Sequence, residues 1–302
     1  MISFGQKAIL RIDAPWMSPT PRPRLEGDDA RRPDPDAAGY LSAVINSFDV
    51  VLDEPYRHAA ISMAIPATGN PYTVASMKLL TDAVVRAGFI RDDRNDVVAM
   101  RLLRYTPDQG SRPTVNVAVL ESEDIQCPFV RQIAPNGQKE PRSPVVGSAV
   151  AYAYTTGVPG EPVFKHSDVR TPADYVRELR SQWSELLETG SLQVDDNWNV
   201  LLSAGQSLEV RMPSTGNFDP DNVVLRLLDL LEVARRDADP SDANPLTIDQ
   251  MLNEVSVLRG DEPGIHLSLH PCTPFDQVAA LAYFRKTAED IEPKWPISNV
   301  DT

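Results

Sequence analysis

Apolar and polar residues alternate with period two from Lys7 to Asp13, which predicts a half-buried strand. The alternation returns over Ala60 to Ile65, with Ile61, Met63 and Ile65 on one side, and again over Val97 to Leu103 and Val115 to Leu120. Between these runs the period lengthens towards that of a helix. Tyr40, Val44, Phe48 and Val51 predict a helix from Ala37 to about Leu52; Met77, Leu80 and Val84 predict another over Ser76 to Ala87, with Gly88 as its stop. The second part of the chain replays that order. A strand is expected over Val145 to Tyr154, a helix over Pro172 to about Leu187, a strand carrying Leu208, Val210 and Met212, and a helix ending near Arg235. Strands at Val255 to Arg259 and Ile265 to Leu269 follow, and an amphipathic helix over Asp276 to Ile291 is expected after them.

One frame recurs literally. Ile65-Pro66-Ala-Thr-Gly69-Asn70 and Met212-Pro213-Ser-Thr-Gly216-Asn217 match residue for residue at Pro, Thr, Gly and Asn, and Asp82 falls on Asp229 in the same alignment. This predicts an internal duplication. The copies differ just past the frame, where Asp219-Pro-Asp221-Asn222 of the second meets Tyr72-Thr-Val74-Ala75 of the first.

A length of 302 residues and 42% apolar content suit two modest cores. No run of 18 apolar residues exists and Met1 to Lys7 lacks the apolar stretch of a signal peptide, so the expectation is no membrane and a cytoplasmic location, or a virion if the chain is a phage component. Cys127 and Cys272 read as one small buried residue per copy rather than a disulfide. The net charge of −14 is uneven: up to Pro144 there are 18 acidic and 17 basic residues, and beyond it 25 and 12. A phosphate backbone is repelled by such a second half unless a metal or local arginines intervene.

Candidate chemistry concentrates at the start of the second acidic helix. Asp219, Asp221 and Asn222 can cap open N–H groups and meet the positive end of the helix dipole, and carboxylates so placed can also hold a divalent cation. The bland alternative is that Asp-Pro-Asp-Asn is ordinary loop-to-helix chemistry. Lys78 is in the same way either a solvated helix residue or a cation for phosphate, and Arg91-Asp92-Asp93-Arg94 is either a charged turn or part of a site. Arg22 and Arg24, in a Pro-Arg-Pro-Arg loop, are candidate phosphate contacts. His266 and His270 lie in a strand, where a spacing of four does not converge on a metal. There is no Walker loop, dinucleotide fingerprint, zinc-spaced cysteine set or nucleophile elbow.

The order strand, Pro/Arg loop, helix, strand, Asp-x-Asp-Asn helix, Asp-Asp turn and strands resembles the RusA family of Holliday junction resolvases, whose pattern is roughly Asp-x-Asp-Asn-x-x-Lys followed by Asp-Asp-x-Gln-Val. The resemblance implies an α/β (α+β) fold of two tandem RusA-like units forming a pseudo-dimer. The first unit would span 1–130 with its acidic cluster lost, a linker 131–144, the second unit 145–275 with Asp-x-Asp-Asn kept, and a C-terminal helix and tail 276–302. It also implies magnesium, with manganese as a substitute, held by Asp219, Asp221 and Asp249 beside a catalytic Arg226, and a branched DNA substrate touched by Arg22, Arg24 and Lys78.

The motif is divided between the copies. The second keeps Asp219, Asp221 and Asn222 but has Leu225 at the lysine position, with Arg226 one step beyond, and Ile248 where the later Asp belongs, with Asp249 one place off. The first keeps Lys78 and Asp92-Asp93 and has lost the triplet. Three functions are compatible with this: a magnesium-dependent, structure-selective endonuclease; a catalytically inactive RusA-fold protein that binds a protein partner or serves a phage particle or nucleoprotein assembly; and an unrelated α/β protein whose acidic loops bind a basic partner or calcium. Neither copy alone is complete, and because in the family the catalytic groups come from one subunit, a site shared between the copies is not expected.

Overall fold

A computed structural model describes residues 7–12, 35–46, 52–69, 71–111, 113–121, 147–151, 172–188, 192–194, 206–213, 220–238, 246–260 and 265–277. In the first half these form β1 (Lys7–Ile12), α1 (Pro35–Asn46), β2 (Ala59–Pro66), α2 (Thr73–Arg86), α3 (Asp93–Asp96), β3 (Val97–Thr106) and β4 (Val115–Glu121). The second half supplies β5 (Gly147–Ala151), α4 (Pro172–Glu188), β6 (Leu192–Val194), β7 (Gln206–Pro213), α5 (Pro220–Ala238), α6 (Ile248–Met251), β8 (Leu252–Gly260), β9 (Ile265–Pro271) and β10 (Phe275–Asp276). The α/β (α+β) class that the resemblance implies is the class observed. The expected linker 131–144, the arginine loop with Arg22 and Arg24, Cys127 and most of the C-terminal segment lie outside the described residues.

All ten described strands join one mixed sheet in the order β1-β4-β2-β3-β8-β7-β9-β5-β6, with β10 alongside β3. In each half two parallel strands are connected through a helix, β2 to β3 by α2 and β7 to β8 by α5, because a parallel return needs a crossover of that length. Each parallel ladder carries a register shift in its first step, between Ala59 and Ala60 in one half and between Gln206 and Ser207 in the other. An antiparallel strand then lies on the far side of each, β4 on β2 and β9 on β7, followed by β1 on β4 and β5 on β9. The two halves share one strand order and one register.

They meet where β3 and β8 pair antiparallel over Ala99–Leu103 and Glu254–Leu258. Val97 and Leu252 open the two strands at matching places, and Arg101 and Ser256, equally far along their strands, face each other. The pairing pattern is therefore twofold about Arg101 and Ser256. Following it outward, Ser62, Ala118 and Ile9 on one side answer Glu209, Ser268 and Ser148 on the other.

Strand side chains alternate between faces. Ile61, Met63, Ile65, Met100, Leu102, Val117, Val210 and Val257 join Val74, Met77, Leu80 and Val84 of α2 and Val224, Leu228 and Leu231 of α5 in a single core. Its size follows from the joint between the halves, since α2 packs on β8 as well as on β2 and β3, and α2 packs on α5. The opposite face is polar near its centre. Ser62, Arg101, Asn116, Glu209, Glu254 and Ser256 are all buried there, and Arg101 donates to Glu254, which also accepts from Ser207 Oγ at 2.9 Å.

The described residues refine several expected elements. The helix expected from Ala37 to about Leu52 is described as α1 over Pro35–Asn46, and residues 47–51 lie outside the described residues. α3 is a short helix where Arg91 to Arg94 read as a charged turn or part of a site, and α6 is a short helix for which no element was expected; each is opened by a side-chain N-cap, Asp92 or Thr247. Of the helix expected over Asp276 to Ile291 only Asp276 and Gln277 are described: Gln277 is helical, while Asp276 and Phe275 before it run parallel to Tyr105 and Thr106; Phe275 packs on Ala64 and Tyr105, and Gln277 Oε1 accepts from Asp108 N and Ser111 Oγ, both at 2.8 Å. Among the described residues no helix is long and apolar enough to cross a membrane.

Candidate functional site

The repeated Pro-x-Thr-Gly-Asn frame ends β2 and starts α2. Gly69 takes φ +78°, a left-handed conformation that a side chain disfavours, and so turns the chain towards the helix. Tyr72 is the N-cap, but it has no oxygen that can accept from the first turn: no side-chain cap bond forms, and the first turn contains no acidic residue.

Those open amides are met from the other half. Asp249 Oδ1 accepts from Val74 N at 2.6 Å and Oδ2 from Ala75 N at 3.4 Å. Thr73 Oγ1 donates to Leu252 O at 2.6 Å beside them. Asp249 can do this because α6 is held rigidly. Thr247 and Gln250 form a reciprocal capping box. In it Gln250 N donates to Thr247 Oγ1 at 3.3 Å and Thr247 N to Gln250 Oε1 at 3.1 Å. Ile248 N donates to Glu232 Oε2 of α5 at 3.0 Å. From the first half, Arg104 Nη1 reaches across to Gln250 O at 2.6 Å and Leu252 O at 3.0 Å. Arg259, which stands at the equivalent place in β8, reaches back to Arg94 O of α3.

Burial pushes the Asp249 carboxyl up to about 6; the amides of Val74, Ala75 and Thr73 pull it down, and the charge of Asp229 raises it. Arg104 lies below the usual arginine range because it is buried, and the nearby Asp249 opposes that shift. Burial also pushes Glu232 upward, but hydrogen bonds from Arg235, Ile248 N and Arg236 outweigh it and hold Glu232 below the usual carboxylate range.

Lys78 and Asp221 form the second connection. Lys78 lies one turn further along α2, and its Nζ is 3.3 Å from Asp221 Oδ1 in the first turn of α5. The Asp221 side chain is 0% exposed and that of Lys78 30%, so the aspartate is sealed beneath a lysine whose head reaches water. Lys78 of the first half and Asp221 of the second thus meet between the halves. The equivalent positions on the other side of the joint, Val74 and Leu225, are both apolar.

The remaining candidates divide as follows. Asp219, Arg22 and Arg24 lie outside the described residues, as does the side chain of Arg226, whose backbone is in α5. Asp92 caps α3 by accepting from Arg94 N at 3.0 Å, and Asp96 accepts from Arg91 N at 2.8 Å and Asp92 N at 3.2 Å, so this acidic run builds its own turn. His266 and His270 both fall in β9, as the alternation required.

A divalent cation needs several carboxylate oxygens directed at one point. The described residues do not offer such a set. Both oxygens of Asp249 face α2 amides, Asp221 faces an ammonium group, and among the described residues no three His, Cys, Asp or Glu side chains group so as to hold a metal ion.

Arg101, Arg104, Arg259 and Glu254 were not singled out from sequence, although each is a charged residue inside an otherwise apolar strand run. That placement is a signal in itself, because a buried charge must find a partner. Comparison with known proteins adds no relative: no family model, no curated protein and no solved structure matches the chain.

Proposed function

We propose that this chain is a RusA-type unit doubled within one polypeptide, which no longer hydrolyses phosphodiesters and acts as a binding or structural module. The observation that carries this reading is Asp249. It is buried against the first turn of α2, where its oxygens accept from backbone amides. Metal-assisted hydrolysis requires carboxylates free to polarise phosphate through a cation and to generate hydroxide. Here Asp249 and Asp221 hold the two halves together instead. The matched strand order and registers support the doubling. The acidic second half supports a protein partner within an assembly over an extended phosphate backbone.

A second reading keeps the endonuclease, with magnesium or manganese at Asp219 and Asp221 and branched DNA as substrate. One observation favours it: Lys78 at 3.3 Å from Asp221 returns to the second half the cation that its own helix lacks. Calorimetric titration with magnesium and manganese, run beside cleavage of a four-way DNA junction, separates the two. The module reading expects no heat of binding and no cleavage. Metal-dependent cleavage that Asp221→Asn abolishes overturns it in favour of the nuclease.

A further inference from the structure

We propose that the sheet face opposite the helices carries, over the first half, a docking site for residues 278–291 of this same chain, so that the segment after β10 lies against the back of the first half. This goes beyond the functional reading and stands whichever of its two forms is correct.

The face follows from the registers. Ala60, Ser62 and Ala64 of β2 stand beside Ala99, Arg101 and Leu103 of β3, with Ala118 and Asn116 of β4 on their other side. Alternation turns all of them away from Ile61, Met63 and Ile65. α1, α2 and α5 send Val44, Met77, Leu80, Val224 and Leu228 into the core on that other side. Even so, Ala60, Ala64, Ala99, Ala118 and Leu103 are at most 3% exposed, so this floor is a covered one. Small side chains leave room above them that larger ones must fill. Ser62 Oγ and Asn116 Nδ2 are buried in the same floor and have no hydrogen-bond partner among the described residues. Buried polar groups cost free energy until something meets them, so the occupant must bring polar as well as apolar groups.

The stretch after β9 enters this face. Cys272 O accepts from Asn253 Nδ2 at 2.8 Å. Burial and then the charge of Glu254 push the Cys272 thiol up to about 12 against the pull of Arg101, which places it beside that buried pair. Phe275 then packs on Ala64 and Tyr105. Gln277, the last described residue, is helical and accepts from Asp108 N and Ser111 Oγ where β3 has ended. The sequence that follows suits the floor. Leu281, Phe284, Ala288 and Ile291 continue from Gln277 at steps of four and three, which makes one apolar stripe of a helix. Tyr283 and Thr287, one turn apart on the flank of that stripe, carry hydroxyls that can meet Ser62 and Asn116. A helix over 278–291 is about 21 Å long, enough to cross from β3 over β2 and β4 to β1 at about 4.8 Å per strand.

Thiol accessibility on the full chain tests this. The thiol of Ser62→Cys lies under the segment and should react slowly with a maleimide, read by mass spectrometry of the peptide that carries it. Adding Leu281→Glu and Phe284→Glu should speed that reaction about tenfold or more, while the thiol of Thr81→Cys, buried on the helix side, stays slow with or without the two charges. A fast reaction at position 62 with the segment intact overturns the proposal, because the floor is then open. A slow one after the charges are added also overturns it, because something else covers the floor. A chain that sediments as a dimer, and whose thiol at position 62 is freed on dilution to the monomer, overturns it in favour of a second copy. Equal acceleration at positions 62 and 81 marks general unfolding, and Leu281→Ala with Phe284→Ala then decides: a gain confined to position 62 supports the docking, and no such gain overturns it.

Discussion

α2 begins with Tyr72 at its N-cap and no acid in its first turn, whereas α5, at the equivalent place in the second half, begins at Pro220 with Asp221 next to it. The surroundings differ in the same sense. α2 is finished by Asp249 and Thr73 contacts to the other half, and Lys78 on α2 faces the acid on α5. Two helices at equivalent places in the strand order thus open with different chemistry. What the pair teaches is that one topology can open a helix either with an acceptor borrowed from a distant segment or with an acid of its own.

The centre of the sheet repeats this lesson, and the largest predicted effect lies there. Arg101 and Ser256 are equivalent and face each other, yet one is a cation and the other a hydroxyl. The cation is matched to Glu254, whose own counterpart is Ala99. Arg101→Ser makes the centre symmetric but leaves Glu254 buried without its main partner, and should cost about 3–5 kcal/mol in a denaturant titration. Adding Glu254→Ala completes the symmetry and should recover most of that loss. If the double variant is no more stable than Arg101→Ser, the asymmetry is not confined to this pair.

A comparable effect is readable without a change in fold, through pH. The Asp249 carboxyl sits at about 6 in the folded protein against 3.8 for an unshifted aspartate. Between these values the native state holds more protons than the unfolded state, so stability is highest below about pH 4, falls as pH rises through about 6, and is level above. The whole change is about 3 kcal/mol. Asp249→Asn keeps an acceptor for α2 and cannot ionise. Its midpoint of unfolding should be flatter than that of the wild type over this window, and a parallel slope in both proteins would assign the titration to another group.

Much of this fold was legible in the residues because the signals were local. Alternation located β1, β2, β3, β4, β7, β8 and β9, and the helical period located α2, α4 and α5. The repeated Pro-x-Thr-Gly-Asn frame announced that the halves share an architecture. What escaped was non-local. Nothing in the neighbourhood of Asp249 indicates that it will cap a helix 175 residues earlier, and reading it against a motif register made it a ligand one place out of step. Arg104 and Arg259 escaped because arginine in a strand reads as an exposed edge until the strand is known to be central. β10 escaped for a related reason: so short a strand cannot show a period, and Phe275 and Asp276 adopt strand geometry only because β3 offers them a free stretch beyond its pairing with β8.

The smallest effect expected bears most directly on the joint. Lys78 and Asp221 occupy places whose counterparts, Leu225 and Val74, are apolar. Lys78→Leu leaves the fully buried Asp221 without its ammonium neighbour. Because the lysine side chain is 30% exposed, part of its attraction is already screened by water. The loss should therefore be about 1–2 kcal/mol. Lys78→Leu with Asp221→Val turns this side of the joint into a copy of the other side. Replacing a buried ion pair by apolar residues of similar volume is often neutral or stabilising, so the double variant should match or exceed the wild type in chemical denaturation. That outcome would mean the ion pair contributes orientation rather than strength to the joint. A double variant as unstable as Lys78→Leu would mean that Asp221 has a further partner whose loss matters more than the lysine, and the search would turn to the segment that carries Asp219.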